Sequence, residues 1–346
     1  MKTPETRHTG ERALSPFESP NPHSDREGTE NVIAARRIAL KVGIVGTGFV
    51  GATAGYALLT RGTASDLVFI DRNEKRAQGE AMDVLHAAPF SHPVRVRAGD
   101  FADLRNARIV IIAAGANQKP GETRLDLIQK NAAVIRAVVP EIVRHAPDTI
   151  LLVATNPVDV LTHVAWESSG LPAMRVIGSG TTLDTARLRA LVGQRATVSP
   201  KNVHGYVLGE HGDSEVVAWS TVMIAGLMVA DFFAQRGMQW SVAIESEISA
   251  QVRGAAYRII EGKGATYYGV AAALAHVCRV IGSDQNAVLT VAQSDGDVAY
   301  SLPRILAGSG VVATLDVRLS EQEHRDLASS VELIRARIRE LAGPPA

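Results

Sequence analysis

Thiol chemistry is nearly missing from this chain, whose one cysteine is Cys278. It cannot close an internal disulfide, and no CxxC pair or Cys/His cluster surrounds it, which disfavours structural zinc and suits a reducing compartment. Cys278 is expected to be a small buried hydrophobe on a helix. An excess of charge of one sign is missing too, since 36 Lys plus Arg balance 36 Asp plus Glu. No net positive field exists to gather nucleic acid or an anionic membrane, so any anion site must be built locally from individual arginines. Long apolar runs are also absent. An uncharged stretch from Val216 to Ala230 is fifteen residues, too short to span a bilayer comfortably, and is expected to be a buried helix. Residues 1 to 36 lack an apolar secretory core and carry Glu and Asp that argue against a mitochondrial presequence; a disordered extension and a cytoplasmic protein are expected.

What is present is apolar content, 46% over 346 residues, enough for two cores of ordinary size. From residue 38 short apolar runs alternate with helical patterns: "IALKVGIVG", "DLVFID", "VRVRAGD", "RIVIIAAG", "TILLVATN" and "RVIGSG". Nearly continuous Val and Ile suit parallel strands covered on both faces. Between the fourth and fifth runs, Leu127, Ile128, Ala132, Ile135, Val139, Ile142 and Val143 form one helical stripe. Repeated strand–helix–strand units predict an α/β fold, a doubly wound parallel sheet of the Rossmann kind over 37–180, with ligand beyond the carboxyl ends of the strands. Over 181–346 the pattern shifts to longer helices plus "AVLTVAQ", "VAYSLPRILA" and "VVATLDVRL", an α+β substrate domain with an antiparallel meander. Ser320 and Glu323 predict a capping box for a last helix buried through Leu327, Val331, Ile334, Ile338 and Leu341.

"GIVGTGFVGATAGYAL" sets Gly46, Gly48 and Gly51, with Phe49 and Val50 between them, directly after the first strand and at the opening of a helix. Such a turn lets backbone amides approach a pyrophosphate, and the helix N-terminus adds roughly half a positive charge. Asp71 follows twenty residues past Gly51 at the end of the second strand, where a carboxylate accepts ribose hydroxyls and repels a 2′-phosphate. NAD is therefore expected over NADP, a preference that the neighbouring Arg72 blurs without reversing.

Three further stretches are individually weak. "GEHGD", residues 209 to 213, sets His211 between glycines, where a histidine is often merely solvated; "GTTLDTARLR", residues 180 to 189, puts Asp184 and Arg187 one turn apart, where a plain ion pair would suffice. "GANQKPGETR", residues 115 to 124, is a polar loop ending in Arg124. Together they could serve a 2-keto acid: His211 as proton donor, oriented by Asp184, Arg187 as a two-pronged carboxylate clamp, and Arg124 polarising the carbonyl. No metal is called for.

These residues resemble those of the L-lactate and malate dehydrogenases, the bacterial L-lactate branch most closely. The similarity covers residues 40 to 342 and rests on "GTGFVG", "AGANQKPGETRLDLIQKN", "TNPVD", "GSGTTLDTARLR", "GEHGDSE" and "KGATYYGVA" in that order. The resemblance implies NAD-dependent, reversible reduction of pyruvate, with His211, Asp184, Arg187 and Arg124 in the roles above. It further implies that Asn156 contacts substrate and nicotinamide, that Asn131 belongs to the cofactor site, that Thr266 lines the substrate pocket, that Val270 packs on the nicotinamide, and that the bond before Pro157 is cis. The loop around Gln118 is expected to close over substrate. Gln118 stands where malate enzymes resemble one another in having Arg, so a second substrate carboxylate would lack a partner and pyruvate is expected over oxaloacetate. Lys119, turned inward, could replace that arginine. Arg189 and His204 match a fructose bisphosphate site at the subunit interface of activated homotetramers; two ordinary surface residues are the other reading. Malate or another 2-hydroxy acid as substrate, and a catalytically silent NAD sensor, stay open as alternatives, while a DNA-binding sensor lacks a basic surface.

Overall fold

The computed structural model describes residues 40–116 and 123–342, with the Arg124 and Ala342 side chains left out. The expected extension over 1–36, the loop residues Gln118 and Lys119, and the side chain of Arg124 therefore lie outside the described residues.

Six strands, β1 (Lys41–Val45), β2 (Asp66–Ile70), β3 (Arg95–Ala98), β4 (Ile109–Ile112), β5 (Ile150–Val153) and β6 (Val176–Gly178), pair in parallel in the order β3-β2-β1-β4-β5-β6. Their apolar runs are explained by two buried faces. Ile44, Ile109, Ile111, Ile150 and Leu152 point to one cluster, shared with α1 (Phe49–Thr60), α2 (Glu74–His86) and α9 (Tyr268–Gly282). Their neighbours Val45, Val110, Ile112, Leu151 and Val153 point to the other, under α3 (Arg124–His145) and α4 (Val158–Ser169). The stripe expected on α3 faces inward, with Ala132, Ile135, Val139 and Ile142 fully buried. Cys278 is buried on α9, where burial pushes its thiol pKa up.

The meander is antiparallel as its punctuation suggested: β10 (Ala287–Ser294), β11 (Ala299–Ala307) and β12 (Gly310–Thr314). It does not stand as a sheet of its own. β10 pairs antiparallel with β6 through Ala292↔Gly178 and Gln293↔Ile177, giving one nine-stranded sheet.

The helix expected over Val216 to Ala230 is not there. The stretch forms β8 (Val216–Ile224), a tight turn, β9 (Leu227–Met228) and the start of α6 (Val229–Gln235). Length and lack of charge suggested a helix, but Val216, Val217, Val222 and Ile224 are β-branched. Ala225 and Gly226 both have positive φ, +53° and +81°, the geometry of a two-residue hairpin turn. With β7 (Val203–Leu208), which sequence reading missed, β8 and β9 form a three-stranded sheet. It covers α5 (Thr182–Ala196) and α7 (Val242–Arg253) around Leu188, Val192, Phe233 and Val252.

The last helix, α10 (Glu321–Ala342), has the expected capping box: Ser320 N–H donates to Glu323 Oε2 at 2.7 Å and Glu323 N–H to Ser320 Oγ at 3.2 Å. Glu323 also accepts from Ser220 N–H at 3.0 Å and Ser220 Oγ at 2.5 Å, tying the helix to β8. Hydrogen bonds to a buried charge are worth more than neutral ones, and losing the acceptor strands the donors. Glu323→Ala should therefore cost about 3 kcal/mol in urea denaturation, whereas the nearby exposed Glu321→Ala should cost under about 0.5 kcal/mol. Equal losses for the two would mean that the cap does not anchor the helix.

Candidate active site

The carboxyl ends of β1, β4, β5 and β6 lie along one edge of the sheet, and the conspicuous motifs begin there. Gly46 ends β1 with φ +95° and donates its N–H to Ile70 O at 2.8 Å. A Cβ there would lie 2.3 Å from Ala114 N, and a Cβ on Gly51 would lie 2.0 Å from Gly46 O. Gly48 differs, because a Cβ there meets nothing within 4 Å among the described residues. Protein packing therefore does not require its missing side chain. It stands as N-cap of α1 with no side-chain cap, opening onto a cleft of about 490 Å³. Backbone amides at an uncapped helix start suit an anion.

Asp71 lines the same cleft. Its carboxylate accepts from Thr47 N–H at 2.8 Å, Thr47 Oγ1 at 3.2 Å and Asn73 N–H at 2.9 Å. Burial pushes its pKa up, but the Asn73 and Thr47 bonds outweigh that and hold it below the usual carboxylate value. The cleft thus pairs a fixed negative charge with the apolar walls Val45, Ile70, Val134 and Val138, a fit for an adenosine and its ribose hydroxyls. Arg72 and Arg76 stand on the lining as well.

Asn131 is buried on α3 and serves the neighbouring loops. Its Oδ1 accepts from Ala116 N–H at 2.7 Å and its Nδ2 donates to Asn156 O at 2.9 Å. It thereby fixes the ends of the loops after β4 and β5. Asn156 itself is exposed, and its bond to Pro157 is cis. Thr266 and Val270 are half-buried on either side of Tyr267, whose ring stacks on Phe49 at 5.3 Å between centroids. This contact brings the "KGATYYGVA" segment to the dinucleotide turn. Val50 and Val270 pack against the same core cluster.

The residues expected to carry the chemistry come from α5, which bears Asp184 and Arg187, and from the loop after β7, which bears His211. Helix α5 follows β6 directly and is pinned between strands: Thr182 Oγ1 donates to Thr290 O at 3.2 Å, and Thr185 Oγ1 accepts from Val207 N–H at 3.0 Å. Its first turn carries Asp184, favourably placed at a helix N-terminus. One oxygen of Asp184 lies 2.5 Å from His211 Nδ1, and the other accepts from Arg187 Nη1 at 2.7 Å. The expected convergence of His211, Asp184 and Arg187 is thus present, and the helical ion pair coexists with it.

Electrostatics follow from that geometry. Burial alone would raise the Asp184 pKa, but the His211 imidazole and the Arg187 guanidinium outweigh it and hold it down. Burial pushes His211 the other way, towards the neutral form. The Asp184 charge and hydrogen bond, helped by Asp159 and Glu215, reverse this and lift His211 to about 9. The ring is therefore an imidazolium at neutral pH, with Nδ1 committed and Nε2 without a hydrogen bond among the described residues. Arg187 also keeps nitrogens that no described residue engages.

Two members of this cluster escaped sequence reading although both stand in quoted motifs. Asp159 of "TNPVD" and Glu215 of "GEHGDSE" are buried, and burial pushes them up to about 7 and about 8. Arg189 and His204 line a separate cleft of about 590 Å³ together with His276. Burial lowers the Arg189 pKa, and burial followed by the Arg279, Arg61 and Arg189 charges lowers that of His276.

Known proteins share this arrangement of chain. A model of the lactate/malate dehydrogenase NAD-binding domain matches residues 40–178, and one of the lactate/malate dehydrogenase alpha/beta C-terminal domain matches residues 181–342. The L-lactate dehydrogenase of Thermus aquaticus is 52% identical over 302 residues, 86% of this chain and 97% of that protein. That of Deinococcus radiodurans is 51% identical over 298 residues, 86% and 97% of the two chains. Among solved structures, the minor L-lactate dehydrogenase of Enterococcus mundtii superposes with a TM-score of 0.84 at 40% identity, covering 87% of this chain and 98% of that one.

The contrast between Gly46 and Gly48 is testable. Gly46→Ala places a methyl against the Ala113–Ala114 backbone just past β4 and should lower stability by several kcal/mol, on the order of the worst overpacking and strain penalties. Gly48→Ala should leave the thermal midpoint within about 2 °C, since its methyl meets no atom of the described residues, yet weaken NADH binding at least roughly tenfold. Undiminished NADH affinity in Gly48→Ala, read by fluorescence titration, would remove the turn from the cofactor site.

Proposed function

The chain belongs to the lactate/malate dehydrogenase family, and from that premise we propose that it is an L-lactate dehydrogenase, reducing pyruvate to L-lactate with NADH in a reversible reaction. The observation that supports this reading best is the His211–Asp184–Arg187 cluster, a combination that a silent NAD-binding sensor does not need. In this reading residues 37–180 form the NAD-binding domain and residues 181–346 the catalytic one.

The nicotinamide, when bound, supplies or accepts the hydride. Arg187 grips the pyruvate carboxylate with the guanidinium nitrogens that Asp184 does not use. His211 Nε2 donates its proton to the carbonyl oxygen as that oxygen becomes an alkoxide, and Asp184 stabilises the imidazolium until it does so. In lactate oxidation the neutral ring takes the proton back. We assign Arg124 to polarising the carbonyl from the loop that ends at α3, with Asn156 and Thr266 lining the substrate and Val270 backing the nicotinamide. Gln118 meets the methyl end of pyruvate. The second carboxylate of oxaloacetate would be desolvated there without a cation, at a cost on the order of several kcal/mol.

Among the described residues no helix is long and apolar enough to cross a membrane, and we place the enzyme in the cytoplasm, in glycolytic or fermentative reduction of pyruvate. We further assign Arg189 and His204 to an activator site for fructose bisphosphate in a homotetramer. The support is their shared cleft with His276, around which the Arg279 and Arg61 charges stand close by, a local concentration of guanidinium groups suited to a doubly phosphorylated sugar.

NADH oxidation by the purified protein across a panel of 2-keto acids decides the matter. Pyruvate should exceed oxaloacetate in kcat/KM by roughly 100-fold or more, and Gln118→Arg should narrow or invert the ratio. Equal use of oxaloacetate would sink the lactate assignment, and NADH binding without turnover would leave a sensor. Added fructose bisphosphate should lower the KM for pyruvate, and an unchanged saturation curve removes the activator site.

The proton donor sets a pH signature as well. His211 is raised above its ordinary value, so its imidazolium and the stability it brings are fully present below about 6.5 and fade as pH rises through about 9. Pyruvate reduction should decline through that window while lactate oxidation rises. A reduction rate flat from pH 7 to pH 10 would mean that another group gives the proton.

A further inference from the structure

Asp159 occupies the first turn of α4, where a carboxylate ordinarily faces solvent and steadies the helix N-terminus. Here it is 2% exposed. Its Oδ2 accepts the backbone N–H of His211 at 2.7 Å, and its Oδ1 is buried with no hydrogen-bond partner among the described residues. Burying a carboxylate this deeply is costly unless it is paired or hydrogen-bonded, and only one of its two oxygens has a described partner. The groups that act on it are His211 and Glu210 from the loop after β7, and Asp184 from α5. From β11 comes Arg304, itself buried, which donates to Val291 O at 2.5 Å and Tyr300 O at 2.9 Å, leaves its Nε unpartnered, and feels the Asp159 charge.

The loop bearing His211 needs such an anchor, because glycines stand on both sides of the histidine. Glu210 N–H donates to Ser330 Oγ at 2.9 Å, and the next fixed backbone point is the bond from His211 to Asp159. The ring is then held by Asp184 and the backbone by Asp159, one attachment at each end of the same residue. We propose that Asp159 is a positioning residue for proton transfer: it fixes the His211 backbone so that Nδ1 reaches Asp184 and Nε2 is left for substrate, and its charge helps keep the ring protonated. The Asp159 carboxylate, pushed up to about 7, and the His211 imidazolium, lifted to about 9, are both charged between those two values.

This inference deepens the lactate dehydrogenase reading and rests on it, so the wild-type protein is assayed first; failure to reduce any 2-keto acid would count against that reading and not against the role of Asp159 within the site. Given an active wild type, Asp159→Asn keeps an acceptor oxygen and removes the charge, while Asp159→Glu keeps the charge and displaces it. For Asp159→Asn the alkaline limb of pyruvate reduction should move down by about one pH unit. Its kcat at pH 7 should fall roughly tenfold, with NADH affinity by fluorescence within about twofold of wild type. Asp159→Glu should restore the limb but not kcat. A folded, NADH-binding Asp159→Asn protein with the wild-type limb and kcat overturns the proposal. If that variant fails to fold, Asp159→Glu decides alone: wild-type kcat with the carboxylate displaced overturns it, and a depressed kcat on an unmoved limb supports it.

Discussion

The carboxylate of Asp184 has one oxygen on the His211 ring and the other on Arg187, and it is buried where neither contact can be exchanged for water. A lone carboxylate in that position would be neutralised by desolvation. Two cationic partners keep it charged, and it in turn keeps the imidazole protonated. The charges of Asp184 and His211 thus sustain one another, with Arg187 adding to the hold on the carboxylate. The scaffold's part is to bring α5 and the loop after β7 within hydrogen-bond reach, which it does by pinning α5 between β10 and β7 through Thr182 and Thr185.

Around this core the site divides by charge. The cleft at the Gly46–Gly48 turn is polarised by backbone amides at the start of α1 and by Asp71, whose carboxylate accepts three hydrogen bonds from Thr47 and Asn73 that hold it below the usual carboxylate value. The chemical end is a denser mixture, with Asp159 and Glu215 buried close to His211 and raised towards neutrality. Such groups can remain near one another only because some of them titrate, since a cluster of fully ionised carboxylates would repel itself.

How legible all this was depended on whether a residue's neighbours lay nearby in the chain. The six parallel strands announced themselves because both faces are buried, which leaves little but Val, Ile and Leu in the text. The turn at Gly46 and Gly48 was visible from its place between a strand and a helix, and Asp184 with Arg187 from a spacing that any helix brings together. β8 was misread because an uncharged run of helical length hid a strand whose clues were β-branching and the Ala225–Gly226 turn. The parts played by Asp159 and Asn131 in the structure were illegible for another reason. Each makes its decisive contact with backbone from another part of the chain, Asp159 with residue 211 and Asn131 with residues 116 and 156, and no local pattern marks a side chain as the partner of a distant amide.

The pairing of β10 with β6 has a mechanical consequence. Strands from the early and late halves of the sequence share a ladder within a single nine-stranded sheet, so the two halves are joined by peptide hydrogen bonds rather than by a linker. A hinge between them would have to tear that seam. The Gly46–Gly48 turn at the end of β1 and the α5 segment that follows β6 are thereby carried on one continuous pleated backbone, whose stiffness bears on the spacing between them.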